Sequence, residues 1–576
     1  MGLLSAVWPS ESFANALLPT EEELSHRIRN HFILEDYARA GSLLEWSSAS
    51  YPDSLILKKL EIEHLSRTGR QKEALKIWKG MPLLPEKEKR RLLEELAWGI
   101  LVKGEESQQF TSRYFSLLGA FFTRDTRATF CLLRALRSSN AQLRAIAVQM
   151  TADYRDPILV DEIIEMMESE RNQNVRYTLV QTAGRLKIHA VTGRLEKLLD
   201  EEKNDLRMRA TLTEALVHIY EDVSPHHLQK ILSSQRSALR YLGARLIAYL
   251  NLEEEIPKLI TLIDDPSIDI RVAALCSLGE FSNKLLQNQE TLFEKLVQNS
   301  TDPNPHLALT ASWLLLRIQP EAATKPLRQL LYTSHQKIRL LATSALNLAG
   351  EAGLPWLREA LKNSTDEFVR VNCAYGLLAL RENQKAAKNE IHDFLQNHSD
   401  KVMIDQYSHP LFAPISPSNV RHSTHVTCHP EIVDQQTRLS LIGLLAIMGD
   451  SRAEALVKNF LLSQNIHVGM AATVTLMREG SNEGLDLIRH FLDDPDPKLR
   501  LQAALSLAFL WQDPAALKTL TQLYGKLPYE TKLIVLEAIA GIGGMSQVPF
   551  LLERLEDPYL VLRIASSSAL IQALHH

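Results

Sequence analysis

The fold is decided by the stretch PKLITLIDDPSIDIRVAALCSLGEF, which runs from Pro257 to Phe281. Apolar residues recur at helical spacing on both sides of one polar break, Asp265-Pro266. Asp is a favoured helix N-cap, and Pro suits the first helical position because its missing N–H is not needed there. We therefore expect one helix to end and the next to begin at this break, which makes the stretch a helical hairpin.

The same arrangement returns along most of the chain, marked by a basic residue one turn into each second helix. These marker residues are Arg144, Arg176, Arg209, Arg240, Arg271, Arg339, Arg370, Arg438, Arg500 and Arg563. His306, Gly469 and Lys532 take the equivalent place in three further hairpins. Most intervals are 31 to 33 residues, so the pattern predicts about thirteen stacked hairpins.

Prolines precede several marker residues by a similar distance and are predicted to begin the first helix of their hairpins. They are Pro225, Pro257, Pro326, Pro355 and Pro549.

The turns DDPSIDIR, DDPDPKLR and EDPYLVLR, taken with this spacing, resemble the HEAT family. They resemble in particular the short repeat seen in phycobilisome-lyase-like HEAT proteins, and the resemblance spans roughly residues 115 to 574. It implies an all-α fold, an alpha-alpha superhelix or HEAT-repeat solenoid. It also implies a structural ladder between neighbouring repeats, made by the turn Asp and the Arg of the second helix. The matching pairs are Asp265/Arg271, Asp494/Arg500 and Asp557/Arg563. Because the Arg recurs in most repeats, a structural role is favoured over a phosphate-binding row.

Residues 21–110 follow another pattern. Ala40 and Ala74 lie 34 residues apart within two similar segments. Each is followed four residues later by a bulky side chain and then by a closing proline: Leu44 with Pro52, and Trp78 with Pro85. This resembles the tetratricopeptide repeat over about residues 21 to 88 and implies TPR-like helices that bind peptides or partner helices. The alternative is an N-terminal cap on the first HEAT hairpin.

A loop interrupts the repeats, because Arg370 and Arg438 are 68 residues apart. The chain is thus predicted to comprise an N-terminal segment (1–20), the TPR-like region (21–110) and the HEAT solenoid (111–576), with the loop at about 401–433. His409, His422, His425, Cys428 and His429 crowd this loop. Imidazole and thiolate can bind zinc, and His422, His425, Cys428 and His429 are the candidate metal ligands, although their spacing fits no standard zinc finger. A docked or flexible loop, or a partner-binding loop, are the alternatives.

Composition narrows the class of protein. Lys and Arg number 64 against 69 for Asp and Glu, which does not favour nucleic-acid binding. Four widely spaced cysteines without a CxxC pair indicate a reducing compartment, and we expect a cytoplasmic protein. The N-terminal stretch lacks the basic region of a secretory signal, and no membrane span is expected.

No nucleotide-binding, zinc-protease, serine-hydrolase or calcium-binding motif is present in the sequence. We therefore expect no catalytic residues and no cofactor. The preferred prediction is a non-catalytic protein–protein interaction scaffold, since stacked hairpins offer a long surface to a protein partner. The alternatives are a HEAT-like lyase or related small-molecule enzyme, which the family resemblance suggests, and a nucleic-acid-binding HEAT protein.

The last helix has one unusual feature. Its sequence, LRIASSSALIQALHH, lacks the polar outer face of a capping repeat. A further contact at the C-terminus is therefore expected, with oligomer formation left open.

Overall fold

The protein is described by a computed structural model that covers residues 19–123, 126–201, 206–382, 384–397, 409, 411–415, 430–453, 455–456 and 482–575. Over these residues it has 31 α-helices and no β-strand, which confirms the predicted all-α helical solenoid. The helices belong to two compact units, Met1–Arg134 with Tyr524–His576, and Ala135–Leu523. None of the helices in the described ranges is both long enough and apolar enough to cross a membrane.

The first unit joins the two ends of the chain. Its helices are α1 (Glu21–Ile33), α2 (Tyr37–Ser50), α3 (Leu55–Arg67), α4 (Gln71–Lys79), α5 (Glu86–Glu105), α6 (Phe110–Thr123), α29 (Tyr529–Ile542), α30 (Val548–Arg554) and α31 (Leu560–His575). A further helix, α7 (Thr126–Leu136), has residues in both units.

The second unit is a run of helical hairpins. After α7 (Thr126–Leu136) they comprise α8 (Ala141–Tyr154), α9 (Pro157–Ser169), α10 (Gln173–Leu186), α11 (Thr192–Asp200), α12 (Leu206–Ile219), α13 (Pro225–Leu232), α14 (Ser237–Tyr249), α15 (Ile256–Leu262), α16 (Ile268–Leu278), α17 (Asn283–Gln287), α18 (Glu290–Asn299), α19 (Pro305–Ile318), α20 (Pro320–Leu331), α21 (Gln336–Leu348), α22 (Leu354–Asn363), α23 (Glu367–Ala379), α24 (Gln384–Asn397), α25 (Pro430–Ile447), α26 (Asn482–His490), α27 (Pro497–Trp511) and α28 (Ala516–Tyr524). The predicted hairpin around Gly469 lies outside the described residues.

The two helices of a hairpin differ in how much of their surface is buried. In α22, a first helix, only Leu357, Ala360 and Leu361 are buried, so the helix covers the core with a single stripe. In α19, a second helix, every residue from 307 to 316 is buried. Each second helix is packed by its own first helix and by the second helices of adjacent hairpins. The second helices therefore form the interior of the stack.

The Asp-Pro break does not cap the second helix in the predicted way. The helix α16 begins at Ile268 with Ser267 as its N-cap, so Asp265 and Pro266 lie in the preceding turn. The Asp265 carboxylate accepts the N–H of Ser267 at 2.9 Å, which shapes the turn instead. An Asp cap followed by a first-position Pro does occur at α27, where Asp496 is the N-cap and Pro497 is the first helical residue. Asp494 lies in the turn before them.

Four of the five prolines predicted to begin helices lie in the first turn: Pro225, Pro257, Pro355 and Pro549. The prediction was wrong for Pro326, which lies inside α20, because Pro320 already begins that helix.

The N-terminal helices α1 to α4 form two helical hairpins. Ala40 and Ala74 are both fully buried, in the second helix of each pair. This agrees with the expected pairing of helices, while the tetratricopeptide resemblance itself stays a prediction.

The final helix α31 packs against α5 and α6 near the other end of the sequence. Small residues allow the close approach: a Cβ at Gly104 would lie 2.5 Å from Ile564 Cδ1, and a Cβ at Gly119 would lie 3.0 Å from Ser568 Cβ. Arg90 Nη1 donates to the main-chain oxygen of Leu574 at 3.0 Å. The chain's own N-terminal helices thus cover the helix that lacks a polar outer face.

Candidate functional site

Part of the inserted loop lies on three consecutive second helices of the second unit. We call His409 and residues 411–415 the docked segment. The docking face is the set of side chains that hold it, His306, Thr310 and Trp313 on α19, Ser344 on α21 and Asn372 on α23. The helix α25 that follows the loop begins at Pro430, so the last residues of the loop predicted at 401–433 are helical. A proline at the first helical position explains this earlier start.

The docking face binds the main chain of the docked segment. Ser344 Oγ accepts the N–H of Ala413 at 3.1 Å. Asn372 Oδ1 accepts the N–H of Ile415 at 2.8 Å, while its Nδ2 donates to the main-chain oxygen of the same residue at 2.5 Å. Pro414 stands between the two bonded N–H groups and has no N–H that requires a partner. These contacts recognise polypeptide backbone rather than particular side chains.

One aromatic side chain anchors the segment. Phe412 is fully buried and meets the Trp313 ring edge-on, with 5.7 Å between the ring centroids. The ring of His409 stacks on the other side of Phe412 at 4.2 Å. Burying a phenylalanine side chain contributes about 1.5–3 kcal/mol, which is more than a single hydrogen bond contributes net. Phe412 therefore supplies the largest single contribution to docking.

His409 is held in one tautomer by its neighbours. Its Nδ1 accepts the N–H groups of Leu411 and Phe412, both at 3.2 Å, so the ring proton must lie on Nε2. Nε2 then donates to Thr310 Oγ1 at 3.1 Å. Burial and the nearby His306 ring lower the pKa of His409 to about 4. The docked segment thus carries a neutral imidazole at physiological pH.

The sequence placed His409 among the loop histidines, but it did not predict that any of the five docking-face residues contacts the loop. Thr310, Trp313, Ser344 and Asn372 gave no separate signal within apolar helices. The candidate metal ligands His422, His425, Cys428 and His429 lie outside the described residues. Across the part of the chain that the structure describes, no group of three or more His, Cys, Asp or Glu could hold a metal ion.

The marker arginines form a second repeated arrangement. Arg240 Nη1 donates to the main-chain oxygens of Ser234 and Gln235 in its own turn, at 2.8 and 3.1 Å. Its Nε and Nη2 atoms hold the carboxylate of Asp265 in the next hairpin, at 2.7 and 2.9 Å. Burial opposes ionisation of Asp265, but the bonds from Arg240 and from the N–H of Ser267 outweigh it and lower the carboxyl pKa. One guanidinium therefore joins two successive turns.

Other marker arginines also reach a carboxylate further along the chain. The ion pairs are Arg144–Glu170 at 2.7 Å, Arg271–Asp302 at 3.0 Å, Arg339–Asp366 at 2.5 Å and Arg370–Glu390 at 2.9 Å. The sequence predicted a pair between Asp265 and Arg271. In the structure Asp265 pairs with Arg240 of the preceding hairpin, and Arg271 pairs with Asp302 of the following one. Arg271 also donates to the main-chain oxygen of Ile263 at 3.1 Å.

The other two predicted pairs meet through the main chain. Arg500 Nη1 donates to the main-chain oxygen of Asp494 at 2.7 Å, and Arg563 Nη1 donates to that of Asp557 at 2.7 Å. The Asp557 carboxylate accepts the N–H of Tyr559 at 2.9 Å. These arginines hold the carbonyl groups of their own turns, in the same way as Arg240.

The described cysteines have the properties of core residues. Cys131, Cys276 and Cys373 are buried free thiols. Burial raises the pKa of Cys131 and of Cys276 to about 12, and it also raises that of Cys373. The thiolate is the nucleophilic form, so these residues are unreactive at neutral pH.

Comparison with known proteins places three ranges of the chain in one family. The family model described as HEAT repeats matches residues 131–216, 290–378 and 486–571. No curated protein matches the sequence.

Several solved structures resemble the chain distantly. The complex of CpcE and CpcF of phycocyanin lyase from Nostoc sp. PCC7120 is 16% identical, with a TM-score of 0.25 over 46% of this chain and 91% of that one. The karyopherin Kap121p bound to the extreme C-terminus of the protein phosphatase Cdc14p is 14% identical, with a TM-score of 0.34 over 91% of this chain and 71% of that one. Kap95p, in a complex with RanGDP, is 14% identical, with a TM-score of 0.32 over 97% of this chain and 80% of that one. Similarity at this level carries no information on function.

Proposed function

We propose that this chain, three ranges of which match the HEAT-repeat family model, works as a non-catalytic scaffold or adaptor that binds other proteins. The observation that carries the proposal is the binding of main-chain groups by the docking face. Ser344 and Asn372 hold N–H and C=O groups of residues more than forty positions away in the sequence. A surface that binds polypeptide backbone in this way is suited to a protein partner.

The regular arginine contacts support a scaffold as well. Five of them tie one turn to a carboxylate further along the chain, which favours a fixed register of the second helices. We propose the role of a structural ladder for Asp265, Arg271, Asp494, Arg500, Asp557 and Arg563 on this basis. The cytoplasm is the proposed compartment because the cysteines are widely spaced. The tetratricopeptide-like helices are proposed as a second protein-binding region.

The enzymatic alternative, a HEAT-like lyase, has less support. The described thiols are buried, and their raised pKa values make them poor nucleophiles. Pigment retained after co-expression with a bilin would favour the lyase over the scaffold.

The nucleic-acid alternative also has less support. The guanidinium groups of Arg144, Arg240, Arg339 and Arg370 are already bonded to carboxylates of the same chain. These charges are neutralised and do not form a phosphate-binding row. Salt-dependent retention of the purified protein on heparin would favour this alternative.

Affinity purification with the full chain as bait tests the proposed function. We expect one protein to be recovered in near-stoichiometric amount and to co-elute with the purified chain in size-exclusion chromatography. The matched control bait carries Asn372→Leu, which removes the main-chain recognition and keeps the number and branching of the side-chain heavy atoms. Repeated recovery of no stoichiometric partner would contradict the scaffold, whereas equal recovery by both baits would place the partner on another surface.

A further inference from the structure

We propose that the docking face is a groove for an extended peptide of a partner protein with a buried aromatic anchor, and that the docked segment occupies this groove in cis. The inference rests on the proposed function and deepens it by naming the class of ligand. Four observations carry it: the pattern of main-chain bonds, the enclosed aromatic side chain, the absence of charge and the tethered connection.

The main-chain bonds have the spacing of an extended strand. The N–H groups of Ala413 and Ile415, two residues apart, both point to the docking face. Successive residues of an extended chain face opposite directions, so the intervening Pro414 points its ring nitrogen away. Asn372 is 2% exposed, and its Nδ2 also donates to the main-chain oxygen of Phe368 at 2.7 Å. The carboxamide is thereby held in the orientation that accepts an N–H from the segment.

The aromatic anchor gives the groove its selectivity. Main-chain bonds are available to almost any sequence, but the space against Trp313 is filled by a whole phenylalanine ring. A ligand with a small residue at this place would leave a cavity, and replacing the phenylalanine with alanine should lower its affinity by about a hundredfold or more. The groove therefore requires a peptide with a phenylalanine or a residue of similar shape.

Charge is not part of the recognition. The sequence HPLFAPI from His409 to Ile415 contains no Asp, Glu, Lys or Arg, and the groups of the docking face that contact it are aromatic or neutral and polar. The two prolines in this sequence restrict the main chain before binding, which reduces the entropy lost on docking. The ligand class is an uncharged, proline-containing, extended peptide with one aromatic residue.

Tethering makes the docked segment a competitor of such a peptide. A segment that belongs to the same chain as its site is present at an effective concentration of the order of millimolar. A free peptide must displace it, so the apparent affinity of the peptide is its intrinsic affinity multiplied by the fraction of sites that are empty. Weakening the docked segment should therefore strengthen the binding of the free peptide.

Fluorescence anisotropy with a labelled synthetic peptide, HPLFAPI, tests this on the full chain. We expect weak binding to the wild type and an apparent affinity that is at least about tenfold higher for the Phe412→Ala variant, whose own segment no longer fills the site. A peptide with alanine in place of the phenylalanine should bind neither protein. The double variant Phe412→Ala with Asn372→Leu should lose the gain, because the main-chain bonds of the peptide are then missing.

A second variant guards against misfolding. Should Phe412→Ala fail to fold by circular dichroism, Ile415→Pro removes one docking N–H without opening the aromatic pocket, and a smaller rise in affinity, of a few fold, is expected. Equal affinity of the peptide for the wild type and for the folded variants, or no binding to any of them, would overturn the groove. In that case a partner that still co-purifies stoichiometrically would leave the scaffold function intact.

Discussion

Asn372 and Ile415 form a reciprocal pair of hydrogen bonds, in which one carboxamide accepts the N–H and donates to the oxygen of a single residue 43 positions away. The helix α23 supplies the carboxamide, and the inserted loop supplies the main chain. Since both groups of Ile415 are satisfied by one side chain, this contact fixes the register of the docked segment on the second helices.

Replacing Asn372 with Leu should release the segment locally. The N–H of Ile415 would lose its acceptor, and the loss of two hydrogen bonds should speed hydrogen exchange at this amide by about tenfold or more. Tyr375→Ala on the exposed side of the same helix is the control, and it should leave the exchange rate unchanged. Equal exchange in wild type and Asn372→Leu would show that the pair does not hold the segment.

Docking should weaken in acid because of His409. The docked ring has a pKa of about 4, whereas a free imidazole has a pKa of about 6.5. The free energy of docking is therefore constant above about pH 6.5 and becomes less favourable as the pH falls from about 6.5 towards 4. In this range the imidazole of the released segment binds a proton, whereas that of the docked segment stays neutral. Protonation of Nδ1 would also break its bonds to two N–H groups.

The titratable group that faces His409 is His306, which also lowers the pKa of His409. His306 faces it from α19, and its own pKa is lowered by burial and by Lys337, with Asp269 opposing. Exchange protection of the Ala413 and Ile415 amides at pH 7.5 and pH 5, corrected for intrinsic rates, measures the effect. The His409→Gln variant should show a smaller difference between the two pH values. Constant protection in the wild type would count against this assignment.

The arginine contacts between hairpins should contribute to stability. Arg240→Ala leaves the Asp265 carboxylate, whose side chain is 5% exposed, without its guanidinium partner. An unpaired buried group costs about 1–3 kcal/mol, and the free energy of unfolding in urea should fall by that amount. Arg271→Ala, which removes the partner of Asp302, should have a similar effect.

A surface ion pair provides the matched control for these variants. Arg185 and Asp153 are paired at 3.0 Å but are 57% and 42% exposed, so Arg185→Ala should change stability by less than about 1 kcal/mol. A midpoint of unfolding for Arg240→Ala that is no lower than that of Arg185→Ala would argue against a structural ladder.

The packing of the last helix on α5 should be sensitive to side-chain size. Gly104→Val would place atoms against Ser116 Oγ and Ile564 Cδ1, which lie 2.1 and 2.5 Å from the position of a Cβ. Overpacking of this kind costs about 1–3 kcal/mol, and the melting temperature should fall. The control is Gly541→Ala, since no atom lies within 4 Å of its Cβ and alanine is the better helix former.

The packing of α31 on α5 and α6 can also be tested by measuring the molar mass of the protein with light scattering. The full chain keeps α5 and α6 covered, whereas deletion of the last hairpin exposes their apolar residues and should promote self-association. A truncated chain that stays monomeric and as stable as the full one would contradict the packing of α31 on these helices.

Much of the fold could be predicted because its signals are local. Helical spacing in the stretch from Pro257 to Phe281, and a polar turn between two apolar runs, each act over a few residues. The predicted cap of α16 was wrong because the local sequence does not show which group the Asp265 carboxylate bonds. In the structure it accepts the N–H of Ser267 and pairs with Arg240 of the preceding hairpin. The sequence showed that Asp265 and Arg271 matter to a repeated contact, but only the stacking of the hairpins showed Arg240 and Asp302 as their partners.

The candidate site was much less accessible to sequence reasoning. Residues 411–415 have no helical or strand period, and the polar residues that hold them are single positions in apolar helices. The histidine cluster drew attention to the loop, but it pointed to a metal rather than to Thr310, which His409 contacts across 99 positions.

The sequence by itself determined that this chain forms repeated helical hairpins and where most of their turns fall, because caps and apolar periodicity act between neighbouring residues. The tertiary structure decided which hairpin each arginine reaches, where the inserted segment docks, and that α31 is covered by α5 and α6. Those contacts join residues 20 to 484 positions apart. They depend on how neighbouring helices pack, which brings together residues that no short stretch of sequence contains.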